Sequence, residues 1–306
     1  MGVEELINEA LNGDKRAIAR LISIAEDYPE HATSLVRELK EYVKECPVIG
    51  ITGPQGVGKS TLIGKIVKTL KGDYRDIERI AILCIDPSSI ITGGAFLGDR
   101  IRMADYIDEK VFVRSMATRG SLIGGICRAA YAALYIYKAT YRPDLILVET
   151  TGTGQADVGI LAFTDKTLLV LTPAAGDEIQ VLKAGCIELA DAIVVNKADL
   201  PGSDIAVSIL SEWFPNKPIF KTNVISGEGI KEVVEYILSP EKVSEEERLR
   251  KYRIGIKLFA ADKFMNGLEK YLDECNLEDY IKEGIDLLSA SEQILSNFIK
   301  KMYQEG

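Results

Sequence analysis

Residues 53 to 60 read Gly53-Pro-Gln-Gly-Val-Gly-Lys-Ser60. Glycines at these intervals let successive backbone N–H groups converge on one anion without a side chain in the way. A lysine and a hydroxyl at the far end can then reach phosphate oxygens and a divalent cation. Such a loop also dictates its surroundings. Pro47 to Thr52 is a short apolar run with the look of a buried strand, and Ser60 to Leu70 follows with helical spacing. Strand, loop and helix in that order aim the helix N-terminus at the phosphates. The candidate phosphate contacts are therefore Gly53, Gln55, Gly56, Val57, Gly58, Lys59, Ser60 and Thr61, with Lys59 reaching the terminal phosphates and Ser60 the Mg²⁺.

The rest of the chain falls into three zones. In residues 1–45, apolar residues recur at i, i+3 and i+4 (Leu6, Ile7, Ala10; Ile18, Leu21, Ile22; Leu35, Val36, Leu39), which predicts helices broken at Gly13-Asp14 and Tyr28-Pro29. Residues 46–240 alternate apolar runs with helical stretches. The predicted strands are Val48 to Thr52, Ile80 to Ile85, Val111 to Arg114, Asp144 to Glu149, Thr167 to Leu171, Ala192 to Asn196 and Pro218 to Lys221. Several are apolar on both parities, as a sheet covered on both faces requires. The fold class is thus α/β: a mostly parallel sheet of the P-loop NTPase kind flanked by helices, with helical extensions at both ends. Residues 241–306 are helical and charged, starting at Ser244-Glu-Glu-Glu. Ile281, Ile285, Leu288, Leu295, Ile299 and Met302 form an apolar stripe that must be covered by this chain or by a second copy.

A second motif identifies the base. Asn196-Lys197-Ala198-Asp199 follows the predicted strand Ala192 to Val195, 137 positions after Lys59. An Asp199 carboxylate offers two acceptors to the N1–H and 2-amino group of guanine, a donor pair that adenine lacks. Lys197 can lay its alkyl stem over the base, and Asn196 can tie this loop to the phosphate loop. GTP and GDP are the expected ligands. Mg²⁺ needs further oxygen ligands or water-shell partners, and Asp86, Asp99 and Glu149 lie at strand ends or in nearby loops; Glu149, being longer than an aspartate, would act through water. Lys59, Glu149 and Asp99 are the candidate catalytic residues, and Gly152 the γ-phosphate sensor. Gly-rich stretches at 92–94 and 118–125 suit segments that respond to a γ-phosphate.

Composition narrows the class. The chain has 306 residues, of which 47% are hydrophobic and 27% charged, ordinary values for a globular protein. A net charge of −9 argues against a general nucleic-acid binder. No apolar run nears the roughly 18 residues of a membrane span. Cys46, Cys84, Cys127, Cys186 and Cys275 stand singly, without the spacing of a zinc site or a disulfide framework, which suits a cytoplasmic protein. The single histidine, His31, reads as a surface residue.

The spelling from Asp86-Pro-Ser-Ser-Ile-Ile-Thr-Gly-Gly to Met103 resembles the MeaB/ArgK family of SIMIBI-class G proteins. So do Arg114-Ser-Met-Ala-Thr-Arg-Gly, Val148-Glu-Thr-Thr-Gly-Thr-Gly-Gln155, Gly176-Asp-Glu-Ile-Gln180 and Leu189 to Asp199. The likeness runs from about residue 5 to 240. It implies a Mg²⁺-dependent GTPase; with no arginine finger to name in the chain, slow and partner-stimulated turnover is expected. Such a protein would chaperone an adenosylcobalamin-dependent methylmalonyl-CoA mutase, gating cofactor loading and protecting the enzyme. It also implies a homodimer joined through the C-terminal helices, and a switch loop at Asp177, Glu178, Gln180 and Lys183 facing the mutase. At the guanine edge the family often has Ser-Ala, whereas this chain has Thr222-Asn223-Val224-Ile225; backbone N–H groups serve there, so Asn223 and Val224 are expected to keep the role. The alternatives are a nickel- or other metallocentre-assembly GTPase, which usually carries Cys and His ligands, and a small-molecule kinase, which would prefer ATP.

Overall fold

The computed structural model describes residues 2–28, 31–86, 108–117, 125–150, 159, 161–173, 190–240 and 244–305. Its centre is a seven-stranded sheet: β1 (Val48–Thr52), β2 (Ile80–Asp86), β3 (Val111–Ala117), β4 (Leu145–Glu149), β5 (Lys166–Leu171), β6 (Ala192–Val195) and β7 (Ile219–Lys221). Every pairing is parallel, and the spatial order is β3-β2-β4-β1-β5-β6-β7. All seven predicted strands are present, with ends within three residues of expectation. β1 lies between β4 and β5, where successive connections leave toward opposite edges. The crevice outside the carboxyl ends of the strands at such a point is where sheets of this kind bind ligands.

Alternate residues of each strand face opposite layers. On β2, Ala81, Leu83 and Ile85 pack with the helices α1 (Val3–Leu11), α2 (Lys15–Asp27) and α3 (Ala32–Leu39), while Ile80, Ile82 and Cys84 pack with α4 (Lys59–Asp73). The N-terminal helices are thus one face of the sheet domain's cover. They share a core with α5 (Gly125–Ile136), whose Ala129, Ala130, Ala132 and Ala133 let neighbouring backbones approach closely. Asp14 caps α2 by accepting from the Arg16 and Ala17 N–H groups, the local reason the chain restarts a helix there. The other face is covered by α4 and α7 (Ile230–Leu238), and α6 (Ser203–Trp213) packs Leu210 against β5 and β6.

After Ser244, which caps the next helix through the Glu247 N–H, α8 (Glu245–Glu274) runs for 30 residues. It is followed by α9 (Leu277–Lys282) and α10 (Leu287–Glu305). Its first half is pinned to the sheet domain. Lys251 Nζ reaches Asp191 Oδ2 at 3.0 Å and the Thr164 and Asp165 carbonyls at the amino ends of β5 and β6. Asp262 pairs with Arg128 of α5, and Phe259 meets Tyr131 edge to face and stacks with Phe163. Among the described residues no helix is long and apolar enough to cross a membrane.

Candidate guanine-nucleotide site

The phosphate loop leaves β1 at Thr52, and α4 begins at Lys59. Gly53 has φ of +142°, and a Cβ there would lie 2.1 Å from the Val170 carbonyl oxygen of β5, so the residue is glycine because the neighbouring strand passes directly against it. Lys59 is buried and its Nζ donates to the Gly53 carbonyl at 2.7 Å and the Pro54 carbonyl at 3.0 Å, which holds the cation across the loop. Gln55, Gly56 and Thr61 are exposed, whereas the Val57 side chain is buried in the same core as α4.

The metal-side residues converge in part. Glu149 ends β4, in register with Ile51 of β1, and its Oε1 accepts from the Ser60 hydroxyl at 2.7 Å. Asp86 ends β2, two residues beyond Cys84, which is Glu149's partner across the sheet. Both carboxylates are buried. These are hard oxygen donors, and among the described residues no three His, Cys, Asp or Glu side chains form a metal cage of their own. Such a donor set suits Mg²⁺, which keeps waters and takes phosphate oxygens along with one or two protein groups. Asp99, Gly152, Gln155, the 92–94 and 118–124 segments, and Asp177, Glu178, Gln180 and Lys183 lie outside the described residues.

The loop predicted to read the base is joined to the phosphate loop directly. Asn196 is fully buried at the end of β6; its Nδ2 donates to the Val57 carbonyl at 2.7 Å, and its Oδ1 accepts from Thr222 Oγ1 at 3.2 Å. Gly58, with φ of +98°, brings its backbone so near that a Cβ would sit 2.5 Å from Asn196 Nδ2. Lys197 takes a left-handed backbone, φ +58°, at the corner, and Asp199 beyond it is exposed. The Ala198 N–H donates to the Thr222 carbonyl at 3.0 Å, placing the 222–229 turn alongside. Val224 anchors that turn in the core shared by Val57 and α4.

Sequence reading missed Thr52, Thr150 and Thr222. Thr150 Oγ1 donates to Thr52 Oγ1 at 2.9 Å, linking the carboxyl ends of β4 and β1. The signal was a hydroxyl at or just beyond the carboxyl end of an apolar strand, where a parallel sheet presents its polar groups. His31 is exposed at the start of α3, with its ring 5.8 Å from that of Tyr28.

A phosphate loop, a Ser60–Glu149 pair and an Asn196 bridge gather at the carboxyl ends of β1, β4 and β6. The family profile described as Methylmalonyl Co-A mutase-associated GTPase MeaB matches residues 15–255. The chain belongs to the MeaB family. Proteins named as GTPases from Pyrococcus abyssi and Pyrococcus horikoshii are 36% and 38% identical to this MeaB-family chain, with 97% of the chain covered in each case and 97% and 98% of those proteins. A fused isobutyryl-CoA mutase of Geobacillus kaustophilus is 39% identical over 203 residues, covering 64% of the chain and 18% of the fused protein. A crystal structure of a LAO/AO transport system kinase superposes with a TM-score of 0.65 at 20% identity over 97% of both chains, which establishes the shared fold. The P-loop NTPase architecture with helical extensions is therefore the MeaB-family fold.

Proposed function

We propose that the protein is a GTP-hydrolysing switch serving an adenosylcobalamin-dependent acyl-CoA mutase of the methylmalonyl-CoA mutase type, gating cofactor loading and protecting that enzyme in the cytoplasm. The observation that supports the GTP part is the Asn196 bridge, which ties the proposed base-reading loop to the phosphate loop. The mutase part rests on the family and on relatives in which a homologous segment lies within a fused isobutyryl-CoA mutase.

The chain's own groups set out the chemistry. The loop N–H groups and Lys59 would hold the β- and γ-phosphates, Ser60 would take Mg²⁺, and Glu149 and Asp86 would face its waters. Mg²⁺, when bound, offsets charge on the phosphates, so catalysis is positioning and electrostatics with little covalent work by the protein. Gly152 and Asp99 complete the proposed γ-phosphate side, and Asp177, Glu178, Gln180 and Lys183 the proposed mutase-facing switch. Slow intrinsic turnover and stimulation by the partner follow.

The proposed division is a helical extension at 1–45, a GTPase domain at 46–240 and a dimerisation arm at 241–306. Among the described residues part of the arm's predicted stripe stands uncovered: Ile281 and Leu288 are each 77% exposed. Beside them is an apolar cavity of about 650 Å³ lined by Leu272, Tyr280, Ile285 and Ile294 among others. A second copy is the proposed cover.

The test is a nucleotide panel followed by turnover with and without a cobalamin-dependent acyl-CoA mutase. Preference for GDP and GTP over ADP and ATP, with hydrolysis that rises when the mutase is added, is expected. ATP preference with phosphate transfer to a small molecule would establish the kinase alternative. Rapid GTP hydrolysis indifferent to the mutase would overturn the switch.

A further inference from the structure

Glu26 stands where a helix disfavours it. It lies in the last turn of α2, at the negative end of the helix dipole, and no basic residue shares that turn. Its side chain is only 7% exposed, and both its oxygens reach β3. Oε1 accepts from the Ala117 N–H at 2.9 Å, and Oε2 lies 3.2 Å from Arg114 Nη2, which also donates to Ser23 Oγ at 2.9 Å. β3 is an edge strand, so an N–H that points away from β2 meets no further strand, and Glu26 supplies the acceptor at the last residue of β3. That residue is the neighbour of Asp86, because the register of β2 and β3 sets Asp86 beside Ala117. On the other side the described pairing of β2 with β4 ends at Cys84 and Glu149, two positions short of Asp86. Among the described residues Ala117 is therefore the one strand neighbour of Asp86, and Glu26 holds Ala117.

We propose that Glu26 is a positioning residue for the cation: by fixing the carboxyl end of β3 it holds Asp86 where the Mg²⁺ of a bound nucleotide would present its waters. The inference rests on the reading of Asp86 as a water-shell partner, and it makes the N-terminal helices part of that site. Mg²⁺ demands near-ideal octahedral geometry and keeps several waters, so a carboxylate that drifts loses its bond to one of them. The loop N–H groups that would meet the phosphates need neither Asp86 nor Glu26, so the loss falls on the cation's contribution alone. The coupling also runs backwards: a cation that orders Asp86 must tighten the bond between Glu26 and Ala117.

The experiment measures GDP affinity by calorimetry, in Mg²⁺ and in EDTA, for the full-length wild type, Glu26→Ala, Glu26→Gln, Asp86→Ala and the double variant Glu26→Ala with Asp86→Ala. The quantity read is the gain in affinity that Mg²⁺ brings. Glu26→Ala should shrink that gain by about tenfold, the size of one lost hydrogen bond, and leave the affinity in EDTA within about twofold of wild type. Glu26→Gln keeps an acceptor for the Ala117 N–H and should hold the gain within about threefold of wild type. The double variant should lose no more of the gain than Asp86→Ala alone, because Glu26 acts through Asp86. In the wild type bound to GDP, hydrogen exchange at the Ala117 amide should slow by at least about threefold when Mg²⁺ is added, a readout that needs no variant to fold. An Ala117 amide indifferent to Mg²⁺, equal losses in Mg²⁺ and in EDTA, a glutamine as damaging as alanine, or additive losses in the double variant would overturn the role of Glu26. An Asp86→Ala protein with the full Mg²⁺ gain would overturn the cation reading of Asp86 itself, and this inference with it.

Discussion

Replacing Asn196 by alanine probes the joint between the two halves of the site. The side chain is completely buried and makes two hydrogen bonds, to the Val57 carbonyl and from the Thr222 hydroxyl, itself completely buried. Its removal strands an acceptor on the phosphate loop and a donor beside the base loop. At about 1–3 kcal/mol for each unsatisfied buried group, Asn196→Ala should destabilise the nucleotide-free protein by about 2–6 kcal/mol. With the loops no longer tied, GDP affinity should fall by at least about tenfold, since the geometry must then be assembled on binding. Thr222→Val alone strands only the Asn196 oxygen and should cost about 1 kcal/mol. The double variant is the sharper arm. Once Asn196 is gone, the Thr222 hydroxyl is a liability, and valine removes it; the double variant should be no less stable than Asn196→Ala and should recover about 1 kcal/mol. Urea midpoints at constant slope read the stability cycle and calorimetric GDP titrations read the binding cycle. Additive losses from the two substitutions would refute the bridge as an energetic unit, as would an Asn196→Ala protein that binds GDP like wild type.

Three further outcomes test the scaffold. Lys251→Met removes one half of a buried pair while Asp191 keeps its charge and its bond from the Thr167 N–H; it should destabilise by about 3–5 kcal/mol, and Lys251→Met with Asp191→Asn by clearly less, read as melting temperatures. Partial burial acts to raise the Asp144 carboxyl, but Lys44 at 2.7 Å and the Arg79 and Glu78 N–H groups outweigh it and hold the group below its ordinary value. A lowered native pKa stabilises above the unfolded value near about 4 and is lost as pH falls through the native one, so the melting-temperature gap between wild type and Asp144→Asn should be full at neutral pH and close in acid. Ile281→Glu with Leu288→Glu places charges on the uncovered stripe of the arm; if two copies meet there, light scattering should show a monomer with GDP binding intact, and an unchanged mass would remove this face from the dimer.

The strands were legible because a parallel sheet covered on both faces leaves an unbroken apolar spelling, and Ile80 to Ile85 is buried at every position. The partner of the N-terminal helices was not. Ile18, Leu21 and Ile22 announce an apolar stripe, yet what they meet includes α5, whose run of alanines and tyrosines is apolar on most sides and carries little helical period of its own. The site divides the same way. Gly53 and Gly58 can be read from the motif as backbone that must turn, but the φ of Gly58 is half of its reason. The other half is Asn196 Nδ2, which would stand 2.5 Å from any Cβ there and lies 138 positions on in the sequence. Neither motif spells that contact. It arises because β5 alone separates β1 from β6, so the ends of β1 and β6 open onto one crevice. Thr222 was invisible for the same reason: its hydroxyl acquires a role only when β7 is laid beside β6. Sequence motifs therefore name the groups that touch the ligand, while strand order decides which of those groups touch each other, and in this protein the second set of contacts makes two ligand-binding loops into one site.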